Sequence, residues 1–263
     1  MVSVAFFGSH PLGIECLDRL HEHPEVDVEL VVTYPPDETH WWDGSVHDRA
    51  TALDYRTLPI ADERELLDAP VDYLLSVYYP NILDGELLDH PRKGALNLHQ
   101  AELPRYRGSN VFTHSILNAR RDDHWRHGTT LHVMVESVDE GPIVDRRFVE
   151  ITEEDTARSL YEKTRAASVD LFEETLPAIV SGTVHERATP QREFDGPRYF
   201  HAKSSLDGRK EIPTDRLADP DAATEVYDLV RALDFPPFEP AYATIGGNRV
   251  HLTTGDYERF RGE

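Results

Sequence analysis

The first thirty-four residues constrain the fold of this chain more than any other segment. Residues 2–8, VSVAFFG, are a β-branched and aromatic run that stops at a glycine, and Leu12, Cys16, Leu17 and Leu20 then recur at helical spacing. VDVELVVTY at 26–34 returns to strand character. Strand, helix, strand is the opening of a βαβ unit, which commits the chain to an α/β class with a parallel sheet. The first turn reads G-S-H-P-L-G, with His10 where a dinucleotide-binding turn needs its second glycine. A pyrophosphate cannot approach the backbone as closely there, so NAD or FAD is not expected.

Residues 35–56 are polar, contain proline and are rich in His and Trp; they read as a long loop with room for one helical turn. Further strands are expected at 72–80, 94–100, 128–136 and 141–151, and helices at 109–120 and 153–182, the last closed by Gly182. After residue 190 Pro, Gly and Asp interrupt every run. A helix at 222–233 and a hairpin around Gly246-Gly247 are the expected elements there. The expected division is an α/β domain over 1–190 and a small C-terminal subdomain over 191–263.

Charge narrows the partners. The 263 residues carry 49 acidic and 27 basic side chains, a formal net charge of -22. Such a surface repels nucleic acid and anionic membranes. Only four of the basic residues are lysine, at 93, 163, 203 and 210, and this acidic, Lys-poor balance suggests adaptation to high salt. The lone Cys16 excludes an internal disulfide and reads as a small core thiol. No run approaches the length of a membrane span and the start lacks the form of a signal peptide, so the expectation is a soluble cytoplasmic protein.

Two stretches carry candidate chemistry. In NLHQAELPRYRG, at 97–108, alternation along a strand puts Asn97 and His99 on one face, at the carboxyl end where open α/β sheets place their sites. In SVDEGPIVDR, Asp139 precedes Glu140-Gly141 at the mouth of another strand. An amide can donate to a carbonyl oxygen, an imidazole can stabilise an oxyanion, and a carboxylate beside them can raise the imidazole's basicity and receive a proton. The remaining histidines, including His21, His23 and His132, show no metal-ligand spacing and are read as surface or core.

NLHQAELPRYRGSNVFTHSILNA followed by GTTLHVMVESVDEGPIV resembles the core of the folate-dependent formyltransferases, whose pattern is Asn-x-His on a strand, an SLLP-x-x-x-G loop and a downstream Asp-x-Gly. The likeness extends over roughly residues 1–185 through FFGSHPLGIECLDRL and SVYYPNIL. It implies a Rossmann-like domain with a mostly parallel twisted sheet, Asn97, His99 and Asp139 as the catalytic trio, and 10-formyltetrahydrofolate as donor, with no metal. The donor's pterin would meet a loop of Val77, Tyr78, Tyr79, Asn81, Ile82 and Leu83, and a second loop carrying Val135 and Ser137. His10, Trp41, Arg105, Arg107, Ser109 and Asn110 are candidate acceptor contacts, although Arg105 and Arg107 can equally pair with carboxylates and the Trp41-Trp42 pair can equally cap the core. One departure is visible: the SLLP loop is Ala101-Glu102-Leu103-Pro104 here, which sets an acid beside the site.

The acceptor is expected to be a small amine. Methionyl-tRNA formyltransferases add a basic C-terminal barrel, whereas residues 191–263 hold ten basic and fourteen acidic side chains. YFHAKSSLDGRKEI is similar to the matching region of sugar N-formyltransferases, which favours an amino-sugar nucleotide. A tRNA-directed enzyme and a non-catalytic folate-binding protein on the same fold remain the alternatives, and a homodimer through the C-terminal hairpin is a further expectation.

Overall fold

The computed structural model describes residues 1–255. In chain order its elements are β1 (Val2–Gly8), α1 (His10–Glu22), β2 (Val26–Thr33), α2 (Val46–Ala52), β3 (Thr57–Pro59), β4 (Tyr73–Val77), α3 (Gly85–Asp89), β5 (Gly94–His99) and β6 (Tyr106–Gly108). There follow α4 (Val111–Ala119), β7 (Arg126–Val133), β8 (Ile143–Glu150), α5 (Ala157–Ser181), β9 (Tyr199–His201), α6 (Thr214–Leu217), α7 (Ala223–Leu233), β10 (Ala241–Ile245) and β11 (Asn248–Leu252).

Seven strands make one sheet in the order β3-β2-β1-β4-β5-β7-β8. The pairs from β3 to β5 are parallel, and β7 and β8 close the edge in antiparallel sense. The mostly parallel α/β sheet and the C-terminal hairpin are therefore as expected. Because both faces of the inner strands are covered, alternate residues feed two cores. Val4, Phe6, Leu75 and Leu96 pack with α1 and α5, while Ala5, Phe7, Leu74 and Ala95 pack with α3 and the 3-10 segment Ile60–Asp68. Burial of this kind contributes about 25 cal/mol per Å² of apolar surface, which is why the strands read as continuous apolar runs.

Several expectations shift. The loop expected over 35–56 contains α2, two turns long, whose start is set by the Ser45 side chain accepting from the Asp48 N–H. The long helix begins later than expected, at Ala157, where Thr156 and Ser159 cap each other reciprocally. Gly182 ends it at φ +78, as anticipated. Three strands of three residues each, β3, β6 and β9, went unforeseen because so short a run has no readable period.

The segment after residue 190 is stitched onto the residues before it. β9 pairs in parallel with β6, Thr189 bridges Ile143, and α7 packs on α4. Arg231 of α7 is wholly buried and donates to Asp228 Oδ1 at 2.8 Å and to the carbonyls of Thr152 and Asp155 at 3.0 and 2.9 Å. Asp228 also accepts from Arg120 Nε at 2.9 Å, so one carboxylate ties α7 to α4. No helix among the described residues is long and apolar enough to cross a membrane.

Candidate active site

A cavity of about 900 Å³ opens along the carboxyl ends of β4 and β5. Asn97, His99 and Asp139 all line it. The parallel register Ser76↔Asn97 and the antiparallel register Asn97↔His132 place the amide at the sheet's centre, between β4 and β7. His99 Nε2 lies 3.7 Å from Asp139 Oδ2, and Asp139 Oδ2 accepts from the Gly108 N–H at 2.9 Å. The sequence-expected trio is thus brought to one place.

Hydrogen bonding fixes the tautomers. His99 Nε2 sits 3.1 Å from the Tyr106 carbonyl, an acceptor only, so Nε2 carries the proton and Nδ1 is the basic atom of the neutral ring. His132 Nδ1 likewise donates to the Val133 carbonyl at 2.9 Å, which leaves Nε2 to accept from Asn97 Nδ2 at 3.1 Å. That bond orients the Asn97 amide and keeps its second N–H for another acceptor. His132 Nε2 is also 3.6 Å from Asp139 Oδ1.

His132 corrects the sequence reading, which left it among surface or core histidines. It lines the cavity and touches two members of the trio. Nothing local marks it; only the pairing of β7 against β5 sets it opposite Asn97.

Burial by itself would raise the Asp139 carboxyl. The His99 and His132 rings and the Gly108 N–H outweigh it and hold the group well below the usual carboxylate range. Asp139 therefore stays ionised next to two imidazoles. Its own backbone is left-handed, at φ +55, and Gly141 two residues on approaches the Val133 carbonyl so closely that a Cβ would lie 1.7 Å from its oxygen. The D-x-G spacing follows from that close approach.

Tyr78, Tyr79, Asn81, Ile82 and Leu83 line one end of the cavity with Val135, while Val77 lies buried at the end of β4 and Ser137 is not in the lining. Tyr79 Oη donates to Glu63 Oε2 at 2.5 Å and Asn81 Nδ2 donates to the same oxygen at 3.0 Å. Glu136 and Val138, which the sequence did not single out, also line the cavity.

The acceptor candidates divide. Trp41, Ser109 and Asn110 line the cavity. Asn110 adopts φ +56 and donates to the Lys203 carbonyl at 3.0 Å and to Ser205 Oγ at 3.1 Å, so its amide holds the turn Lys203–Leu206. Three expectations are corrected. His10 is 1% exposed, with Nδ1 accepting from the Leu12 N–H, Nε2 against Tyr161 Oη at 2.8 Å and its ring stacked on Tyr78. Burial, then Arg165 and Arg158, push it down to about 3, and it is neutral filler beneath the Trp pair. Arg105 is buried against Asp122 at 3.2 Å, and Arg107 pairs with Glu140; neither lines the cavity. Repulsion-relieving pairing with this chain's carboxylates has taken both.

Trp41 packs edge-on against Phe235 and Phe238 as well as Tyr161, so it caps the junction with the C-terminal segment while its remaining edge faces the cavity. Glu102 also departs from expectation. It is buried away from the cavity, 2.6 Å from His124 and 2.9 Å from Arg126. Desolvation would raise its carboxyl, and these two partners bring it below its ordinary value instead. Among the described residues no group of three or more His, Cys, Asp or Glu is placed to hold a metal ion.

Residues 55–176 match the family model described as formyl transferase. The chain is 34% identical over 166 residues to the bifunctional polymyxin resistance protein ArnA of Wigglesworthia glossinidia brevipalpis, a match covering 63% of this chain but only 23% of that protein. Among solved structures it resembles a 4-N formyltransferase from Francisella tularensis (TM-score 0.75, 18% identity, 96% of each chain covered). It also resembles the N-formyltransferase of Helicobacter canadensis in complex with folinic acid and dTDP-3-aminofucose (TM-score 0.71, 17% identity, 95% of this chain and 86% of that one). At such identities the structural likeness concerns the fold.

Proposed function

We propose, proceeding from the match of residues 55–176 to the formyl transferase family model, that the protein moves a formyl group from 10-formyltetrahydrofolate to the amine of an amino-sugar nucleotide. The observation that carries this reading is the convergence of Asn97, His99 and Asp139 on one cavity, with donor and proton-accepting groups in fixed tautomers.

The amine nitrogen attacks the formyl carbon, and the carbonyl oxygen gains negative charge. Asn97, aimed by His132, meets that oxygen with its free N–H. The nitrogen becomes positive and must lose a proton. A carboxyl held as low as Asp139 is a weak base, so His99 Nδ1 takes the proton, and Asp139 stabilises the imidazolium from 3.7 Å. Collapse of the tetrahedral intermediate breaks the bond to the folate nitrogen, and the imidazolium returns the proton to that leaving nitrogen.

The pterin fits the end bounded by Tyr78, Tyr79, Ile82 and Val135, where main-chain groups and apolar side chains meet. Two of the chain's four lysines, Lys203 and Lys210, line the same cavity. Asp207 and Glu239 line the cavity beside them, with Glu239 Oε2 3.8 Å from Lys210 Nζ, so an anionic acceptor such as a nucleotide sugar would draw on Lys203 first. The same reading places the enzyme in the cytoplasm, on an acidic surface adapted to salt. It also makes the enzyme a homodimer through the β10–β11 hairpin, whose Ile245 and Val250 are exposed; a monomer by light scattering in high salt removes that last element.

The decisive assay is tetrahydrofolate release from the donor in high-salt buffer. The panel holds amino-sugar nucleotides, glycinamide ribonucleotide, aminoacylated initiator tRNA and no acceptor. Turnover that requires a nucleotide-linked amino sugar supports the proposal. Turnover with tRNA, or none with any amine while folate still binds, removes it.

A further inference from the structure

The Asp139 carboxylate is aimed by its own main chain, and that main chain is held from outside the first domain. Gln191 stands in a 3-10 turn, Gln191–Glu193, and is 9% exposed. Its Nε2 donates to the Asp139 carbonyl at 2.7 Å and to the Gly141 carbonyl at 2.8 Å. Both hydrogens of one amide are thus spent on the two carbonyls that flank Glu140. The turn carrying Gln191 is fixed in its own right: Ile143 and Thr189 exchange N–H···O bonds at 2.9 and 2.8 Å, and Arg198 Nη2 donates to the Gln191 carbonyl at 2.8 Å.

The loop that Gln191 grips is also held by the Glu140 N–H on the Ser137 carbonyl at 3.2 Å, the Val133 N–H on the Pro142 carbonyl at 2.9 Å and the Arg107–Glu140 ion pair, but among these contacts Gln191 alone takes the carbonyls of Asp139 and Gly141 together. Asp139 is left-handed without being glycine, a conformation that persists only where surroundings enforce it. Around it the carboxylate accepts from the Gly108 N–H at 2.9 Å and faces the protonated His99 Nε2 at 3.7 Å, with His132 Nε2 at 3.6 Å. A rotation of the peptide at 139 swings that carboxylate out of this set. Only a side chain with two N–H donors and the reach of glutamine bridges both carbonyls; glutamate has the reach and no donors, and leucine the volume without polarity.

We infer that Gln191 is a positioning residue for Asp139, through which the segment after residue 190 sets the geometry of the reactive site. Its consequence for rate rests on the formyl-transfer reading; its consequence for the two histidines does not. Removing the amide leaves two carbonyls without donors and frees the loop, so Asp139 acts less strongly on both rings.

The test follows the ring nitrogens of His99 and His132 by long-range 1H–15N NMR across pH. It compares the intact protein with Gln191→Glu, Gln191→Leu and, as the limit, Asp139→Asn. The Gln191 variants are expected to shift at least one of the two titrations toward its course in Asp139→Asn, and to lower kcat by about tenfold or more with donor and acceptor KM changed less than about threefold. Unchanged titrations in folded variants, even with a lowered melting temperature, overturn the inference and leave Gln191 a purely structural residue. In the unsubstituted protein the Gln191 side-chain amide protons are expected to exchange slowly; fast exchange overturns the inference without any variant. If no acceptor supports turnover, the reading of function fails, and the titrations still decide the role of Gln191.

Discussion

At the scale of single residues, Asn97 commits one N–H to His132 and, in the proposed mechanism, meets the formyl oxygen with the other. Asn97→Ala is expected to lower kcat by roughly 10²- to 10³-fold, as loss of an oxyanion donor does, with little change in folate binding by fluorescence titration. His127 shows the opposite use of an imidazole. It is fully buried, donates through Nε2 to the Gln100 carbonyl and accepts from Ser115 Oγ, and burial pushes it down to about 4. Above pH 6.5 the ring is neutral folded or unfolded and contributes nothing to pH dependence. Between there and about 4 the unfolded chain binds a proton that the folded state refuses, so stability falls as pH falls. Urea unfolding at pH 7 and pH 5 checks this: the loss between them should be smaller by about 2 kcal/mol in His127→Gln.

At the scale of elements, the strands that carry the trio were legible because each is a long apolar run with a clear end. Asn97 and His99 fall on one face of β5 through alternation alone, and the Asp139-x-Gly141 turn declares itself by its glycine. His132, Gln191 and the Lys203 turn were not legible as site residues, since each arrives through pairing across the fold: β7 on β5, the 189–191 segment on the mouth of β8, and Asn110 gripping residues 203–205. The arginines misled for a related reason, because a guanidinium's partner is set by which carboxylate the fold brings near. The junction of α7 with α4 offers a test of such a pairing. Arg231→Met removes a buried cation from Asp228 and from two carbonyls, and is expected to cost about 3 kcal/mol in chemical unfolding, with the trio's geometry and folate binding retained.

For the whole molecule, charge is the governing quantity. A net charge of -22 stores repulsion in the compact state that mobile ions screen. The melting temperature is therefore expected to rise between about 0.1 and about 2 M KCl, and a flat or falling response removes the link between this composition and salt. The sequence by itself determined the α/β class, the strands of the central sheet other than the three-residue β3, the acidic surface and the placing of Asn97, His99 and Asp139 at strand ends, because hydrophobic period and turn chemistry are local and act over a few residues. Tertiary structure alone decided which histidine aims Asn97, which amide steadies Asp139, which arginines are spent on carboxylates and which lysines face the cavity. Those outcomes depend on the register and packing of segments dozens of residues apart, and no local pattern encodes a distance between them.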